Sequence, residues 1–310
     1  MEYRKLGDFL VSRIAYGGWA MGGHGWGKVD DNNSINAVRR ALDLGINFFD
    51  TADVYGFGHS EEILGRALGD KRHDVVIATK FGVSWDSNGN IGRNSQASYV
   101  ISALENSLKR LKIECIPLYQ IHWPDPSTPI SETMSALKKC QDQGKIKHIG
   151  VSNFSLQEIN VAKQWGNIMS TQVPYSLIDR NIETNLAHHC TKNSIHMLTY
   201  GSLAKGLFSG KFSEDTIFKQ DDIRSKDPSF KGVQFKKNLC LVKELRKIGL
   251  KYNKSSAQVA LRWVLDVPGV LAAITGIKTQ AQIEENVGAL QWSLSCEDHE
   301  ILSKLTGSHV

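Results

Sequence analysis

No stretch of this 310-residue chain approaches the ~20 consecutive apolar residues needed to span a bilayer, which excludes a transmembrane helix. The opening MEYRKLG has no apolar h-region, so no secretory signal is expected and the cytoplasm is the expected compartment. Cysteine is scarce. The five thiols (Cys115, Cys140, Cys190, Cys240, Cys296) are odd in number and form no C-x-x-C pair, which suits reduced thiols rather than a disulfide framework. The excess of one charge sign is also small, with 37 Lys and Arg against 32 Asp and Glu, a net of +5 spread along the sequence. That balance suits an anionic small ligand, and without a dense basic run it argues against nucleic acid. No internal repeat, low-complexity segment or dividing linker interrupts the chain. What remains is the make-up of a globular enzyme, 41% apolar and 22% charged.

Short apolar runs alternate with longer amphipathic stretches. Strand-like runs fall at 14–18, 46–50, 75–80, 116–122, 146–151, 168–173, 195–199 and 270–275. Helical spacing is seen at 34–44 (stopped by Gly45), 59–68, 97–111, 131–140, 155–164, 183–192, 236–251 and 256–266. About eight β-then-α units predict an α/β fold, a single-domain (β/α)8 TIM barrel over 1–310; an open doubly wound sheet is the alternative. The segment 211–234 is polar and weakly periodic. A long loop inside a compact domain is usually functional, so it is expected to be a mobile lid over a ligand.

Ionisable residues end three of these runs: Asp50 in INFFD, Lys80 in VVIATK and His122 in YQIH. On consecutive strands they would share the C-terminal mouth of a barrel, the face where barrel enzymes carry their chemistry. Tyr55 follows Asp50 by five residues in the loop leaving the same strand. A phenol of pKa ~10 is a weak acid at neutral pH, and a nearby ammonium would lower that value. Asp50 would keep Lys80 charged and oriented, since an unpaired buried ammonium is costly. A neutral His122 can donate to a carbonyl oxygen while Tyr55 protonates the developing alkoxide. The quartet polarises and protonates a carbonyl but lacks a nucleophile–base pair, so hydride must come from a cofactor.

Here the chain resembles the aldo-keto reductase superfamily. GINFFDTADVYGFGHSEEILGRAL (45–68), VVIATKFG (75–82), NSLKRLKIECIPLYQIHWPDP (106–126) and GKIKHIGVSNFS (144–155) match its motifs in order, over essentially the whole chain. The nearest likeness is to the bacterial group of general-stress and inositol-operon reductases. The resemblance implies a (β/α)8 barrel, no metal, and NADPH/NADP+ as cofactor, with Asp50, Tyr55, Lys80 and His122 catalytic.

It also implies where the dinucleotide lies, extended across the barrel mouth. Neither GGHGWG (22–27) nor YGFGHS (55–60) satisfies G-x-G-x-x-G, and Gly206 stands one residue too close to Gly210-Lys211 for a phosphate loop. By resemblance, Trp19, Asp50, Ser152, Asn153 and Gln172 lie at the nicotinamide and Tyr200 stacks on it. Gly201, Ser202, Leu203, Lys205, Gly206 and Lys211 form the pyrophosphate loop, with Arg224 of the lid as a further clamp. Gly276, Lys278, Gln282, Glu285 and Asn286 resemble the adenosine site, where a helix starting near Gln280 would offer its N-terminus to a 2′-phosphate. Thr275-Gly276-Ile277 and Gln282 replace the Pro-Lys-Ser and later Arg of many eukaryotic members. Lys278 is left as the obvious cation, and NADH use becomes possible.

Tryptophans crowd the expected rim: Trp19, Trp26, Trp85 and Trp123. With Tyr55 and His122, Trp19, Trp85 and Trp123 form the expected pocket for an apolar or aromatic carbonyl substrate. Two other classes are weighed. A redox-sensing auxiliary subunit would share barrel and cofactor while acting through partners. A metal-dependent barrel hydrolase would need histidines on one face, but His188 and His189 are adjacent and no H-x-H follows the first strand. Substrate identity, oligomeric state and reaction direction are not readable from the residues.

Overall fold

A computed structural model describes residues 1–23 and 29–307. The chain opens with an antiparallel hairpin, β1 (Tyr3–Leu6) and β2 (Phe9–Ser12). Along the chain follow β3 (Ile14–Gly17), α1 (Asp31–Asp43), β4 (Phe48–Asp50), α2 (His59–Leu68) and β5 (Val76–Phe81). A second hairpin, β6 (Val83–Trp85) with β7 (Ile91–Arg93), interrupts the alternation before α3 (Ala97–Leu111) and β8 (Ile116–Ile121). The remainder is α4 (Ile130–Asp142), β9 (Ile146–Ser152), α5 (Leu156–Lys163), β10 (Ile168–Pro174), α6 (Leu186–Lys192) and β11 (His196–Tyr200). It ends with α7 (Gly232–Tyr252), α8 (Ser256–Asp266), β12 (Val270–Gly276), α9 (Gln280–Val287) and α10 (Cys296–Leu305).

Eight parallel strands close in the order β10-β11-β12-β3-β4-β5-β8-β9. This is the (β/α)8 barrel expected from the alternating pattern; the open sheet is excluded. Every residue of β5 is buried, because helices cover the outside of the barrel and side chains fill the inside. Ile77 and Phe81 face the helix layer, whereas Val76 and Ala78 join Phe48, Leu118, Leu198 and Leu271 in the interior. Leu6 and Val11 of the first hairpin belong to that inner cluster and stopper the N-terminal end.

The period of two along a strand then decides what lines the mouth. Asp50 stands two residues beyond Phe48, Lys80 beyond Ala78, Gln120 beyond Leu118 and Tyr200 beyond Leu198. An apolar inner layer is thus capped by a polar one, and the candidate chemistry lies inside the C-terminal rim. On β9 the inward position is Gly150, where a Cβ would lie 2.9 Å from Gln120 Cγ and 2.7 Å from Ser170 Oγ. Glycine here makes room for the polar layer.

Helix boundaries follow their caps. Asp30 accepts from the Asn32 and Asn33 amides and starts α1 three residues before the expected 34. Ser155 with Glu158, and Ser255 with Gln258, form reciprocal capping boxes on α5 and α8. Among the described residues no helix is long and apolar enough to cross a membrane.

Candidate active site

Lys80 is fully buried and its Nζ donates to Asp50 Oδ2 at 2.7 Å, to the Thr51 carbonyl at 2.8 Å and to Tyr55 Oη at 3.4 Å. The ammonium also stands 5.0 Å over the Tyr55 ring. Asp50 is held from its other side by Gln172 Nε2, 2.7 Å from Oδ1, and by Gln120 Nε2 at 3.5 Å. Burial works against the Lys80 charge, but Asp50 and Tyr55 raise its pKa above that of an ordinary lysine. The ammonium is therefore permanent across the physiological range.

Two glycines bring Tyr55 into place. Gly56 (φ +63°) lies against Gly22, and a Cβ on either would sit 2.6 Å from backbone of the facing loop. This contact joins the Tyr55 loop to the 3₁₀ turn carrying Trp19, whose ring centroid is 6.4 Å from that of Tyr55. His122 follows β8 directly and meets Tyr55 edge-on at 5.7 Å. Its Nδ1 is buried without a partner. Burial first, then the Lys80 and Arg93 charges, holds its pKa well below that of an ordinary histidine, so the imidazole is neutral.

One expectation is corrected. The Tyr55 phenol is not made a stronger acid than usual: burial raises its pKa, Lys80 only partly offsets this, and Asp50 adds to the rise. The group stays protonated to alkaline pH. The phenol thus keeps its proton, with the Lys80 ammonium 3.4 Å from its oxygen.

Beside the quartet, Ser152 Oγ donates to the Gln172 carbonyl at 3.0 Å. Asn153, in the left-handed region (φ +59°), donates to the His122 carbonyl at 3.0 Å and to Ser152 Oγ at 3.1 Å. Tyr200 Oη donates to Asn153 Oδ1 at 2.8 Å, and burial pushes its pKa up to about 12. Ser152, Asn153, Gln172 and Tyr200 therefore share one hydrogen-bonded rim with the quartet.

The expected phosphate region divides. Ala204, Lys205 and Gly206 all have positive φ in a tight turn after β11, flanked by Gly201, buried Ser202 and half-buried Leu203. The Gly206 amide, expected to face a phosphate, donates instead to the Leu203 carbonyl at 2.9 Å. Lys205, expected at the same loop, pairs with Asp227. By contrast Lys211, Arg224 and Lys278 do come together: each of the two lysines has its pKa lowered by burial and by the neighbouring Arg224 charge. Arg224 is gripped by Asp222 through two hydrogen bonds of 2.8 and 2.5 Å. α9 starts at Gln280, as expected. Gln282 braces the loop before it by accepting from the Lys278 amide at 2.7 Å. Gly276 ends β12 in the open, where an added Cβ would meet nothing within 4 Å. Glu285 lies close enough to act on the Lys211 charge, and Asn286 is buried. Segment 211–234 carries its own small core, with Phe212, Phe218 and Phe230 meeting edge-to-face and Arg224 4.9 Å over Phe218.

Of the expected tryptophans, Trp85 lies 5.6 Å from Phe57, Trp123 carries Arg93 5.0 Å over its ring, and Trp26 lies outside the described residues. Sequence reasoning missed Gln120, Arg93 and Asp53. Gln120 was discoverable from its parity with Leu118. Asp53 is fully buried with neither carboxylate oxygen partnered, and burial with the nearby Glu61 charge raises its pKa well above the carboxylate range.

The comparisons with known proteins agree with this geometry. The Aldo/keto reductase family model matches residues 13–306. Aldo-keto reductase YhdN of Bacillus subtilis is 41% identical over 98% of this chain and 93% of its own length. The NADH-specific methylglyoxal reductase of Escherichia coli is 31% identical over 96% of this chain and 95% of its own length. Among solved structures, the glycerol dehydrogenase AKR11B4 from Gluconobacter oxydans superposes with a TM-score of 0.91 at 40% identity, covering 96% of this chain and 92% of that one. A buried Lys–Asp pair under a tyrosine at the mouth of an eight-stranded barrel, together with these likenesses, establishes that the chain belongs to the aldo/keto reductase family of oxidoreductases.

Proposed function

We propose that this chain reduces small aldehydes or ketones to alcohols with NADPH, Tyr55 acting as the general acid. The observation that carries the reading is the Lys80 ammonium 2.7 Å from Asp50 and 3.4 Å from Tyr55 Oη, beside a neutral His122 with an unpartnered Nδ1. The coenzyme, when bound, supplies the hydride. A substrate carbonyl between Tyr55 and His122 would be polarised by the two hydrogen-bond donors, and as charge grows on its oxygen the phenol proton moves across. Lys80, already charged, stabilises the phenolate left behind, and Asp50 with Gln172 and Gln120 fixes the amine.

The residues present fit a phosphorylated dinucleotide. Lys211, Arg224 and Lys278 converge; Asp222 favours the charged form of both lysines and Glu285 that of Lys211, and Tyr200 offers a ring at the rim. Ser152, Asn153 and Gln172 would hold the carboxamide, the turn at 201–206 the pyrophosphate, and Gly276, Gln282, Glu285 and Asn286 the adenosine. The 211–234 segment would act as the lid, moving as a packed unit on its phenylalanine core. A relative named NADH-specific makes coenzyme choice a question for measurement. Lys278→Glu is expected to raise the KM for NADPH about tenfold while leaving that for NADH nearly unchanged; equal changes would reject the assignment.

The acid assignment is tested by Tyr55→Phe. Coenzyme binding, followed by tryptophan fluorescence, should persist, while turnover of nitrobenzaldehyde falls on the order of a thousandfold. Turnover at the parental rate would remove Tyr55 from the mechanism.

A further inference from the structure

Arg93 ends the rim hairpin formed by β6 and β7, and its position is fixed by the backbone. It stands opposite Val83 in the strand register, and the next residue, Asn94, donates from its amide to the Gly82 carbonyl at 3.2 Å. The guanidinium lies 5.0 Å over the ring of Trp123, the residue after His122. Among the described residues no carboxylate forms an ion pair with it. The acid whose charge it feels, Asp125, is already saturated. Asp125 accepts from the Ser95 amide at 2.9 Å, the Ser127 amide at 2.9 Å, the Ser127 hydroxyl at 2.6 Å and the Thr128 hydroxyl at 2.7 Å. Arg93 nonetheless stands near enough to the candidate site for its charge to help keep His122 neutral.

Stacking on an indole holds a guanidinium plane in one orientation while leaving its edge donors for another ligand. An exposed arginine over an indole face, beside His122 and with no ion-paired acid among the described residues, can offer its edge donors to an anion. Trp85, tilted against Phe57, supplies an apolar wall on the same hairpin. We propose that Arg93 is a specificity-determining residue, and that the preferred substrates are carbonyl compounds bearing a carboxylate or phosphate remote from the reacting carbon. The guanidinium would take that anion in paired hydrogen bonds while the carbonyl reaches Tyr55 and His122. The inference rests on the reductase reading and adds a substrate class to it.

Rigid, size-matched probes test it: 4-carboxybenzaldehyde against methyl 4-formylbenzoate, each with both coenzymes. The parent should favour the acid over the ester in kcat/KM by on the order of tenfold, and added salt should narrow that ratio. Arg93→Met keeps an apolar stem on Trp123. It should raise KM for the acid about tenfold, leave kcat within about twofold, and leave the ester unaffected; Arg93→Lys should restore part of the preference. A parent that favours the ester, or an Arg93→Met variant that loses both substrates equally, would overturn the proposal. Terephthalate binding to the coenzyme-loaded protein, read by quenching of tryptophan fluorescence, needs no turnover. Weakening of that binding about tenfold in Arg93→Met supports the receptor even if the parent reduces neither aldehyde, a result that would instead sink the reductase reading. Unchanged terephthalate binding rejects the receptor whatever the enzyme reduces.

Discussion

The two ends of the barrel carry buried charge in opposite ways. At the N-terminal end, Arg13 donates to the carbonyls of Leu265, Val270 and Leu271 at 2.5, 2.9 and 3.3 Å and lies 3.7 Å from Glu2. Arg262 beside it pairs with Glu2 at 3.0 Å and with Asp266 at 2.8 Å. These cations tie the first hairpin, the last barrel strand and α8 together, and they face backbone and acid rather than solvent. At the C-terminal mouth Lys80 is equally buried, but its third partner is a phenol at 3.4 Å, His122 keeps a bare ring nitrogen, and Arg93 has no ion-paired acid among the described residues. The comparison separates charge that closes a structure from charge that waits for a ligand. The unpartnered His122 Nδ1 and the phenol within reach of Lys80 mark the working end, whereas the unpartnered Arg262 Nε at the other end belongs to a guanidinium already paired with two acids.

The largest expected effect breaks the contrast at the mouth. Lys80→Met leaves Asp50 buried beside two amides and no cation, which should destabilise the fold by roughly 3–5 kcal/mol. Carbonyl reduction should fall on the order of a thousandfold. Coupling Lys80→Met to Asp50→Asn removes the stranded charge, so thermal stability should largely return while turnover does not. Recovery of both together would mean that the pair serves packing alone, and the two barrel ends would not differ in kind.

Next in size is the matching change below. Arg13→Met removes three hydrogen bonds to main-chain carbonyls and leaves Glu2 with Arg262 as its remaining cation. Unfolding in urea should reveal a loss of roughly 3 kcal/mol, with kcat/KM within about twofold of the parent. A tenfold fall in kcat/KM at temperatures where the variant is folded would show that the stopper end is coupled to the chemistry.

How much of this was legible follows from how local each signal is. Helices 59–68 and 97–111 stand where the apolar spacing put them, because their faces and stop signals lie within one segment. Asp50, Lys80 and His122 were legible because an ionisable residue closing an apolar run is itself a local pattern. Helix α7 starts at Gly232, before the expected 236, since its first turn packs Phe235 against the lid core rather than against the barrel. Arg93 sits on a three-residue strand with no periodicity, opposite a tryptophan thirty residues away, so nothing local announced it. The same holds for Lys205 and Asp227, which stand 22 residues apart. The resemblance supplied Lys205, but the acid that holds it is a loop residue whose pairing only three-dimensional proximity reveals; Asp222, two residues before Arg224, was a local pair left unread. Asp53 was unreadable for the same reason, as Glu61 of α2 and Arg110 of α3 set its surroundings.

Asp53 supplies the last and finest test of the contrast, as a buried ionisable site near the mouth with no side-chain hydrogen-bond partner for its oxygens. Glu61, which faces it from α2, is already bonded to Thr79 Oγ1 at 2.6 Å and to Arg110 Nε at 2.7 Å. Burial and that carboxylate favour the neutral acid, while Arg110, the Val54 amide and Lys80 oppose them and lose. A carboxyl whose pKa is raised on folding binds its proton more tightly in the native than in the unfolded chain. Stability is therefore undiminished below the unfolded carboxyl pKa and declines as pH rises from there toward the folded value. The slope of that decline is about 1.4 kcal/mol per pH unit for one fully linked proton. Asp53→Asn cannot ionise, so the variant should track the parent near pH 4 and become progressively the more stable of the two between pH 5 and 8. Thermal melts across that range read the difference directly. Parallel curves for parent and variant would mean that Asp53 is ionised in the folded protein, and the mouth would then hold a second permanent negative charge that the Lys80 and Tyr55 chemistry has to accommodate.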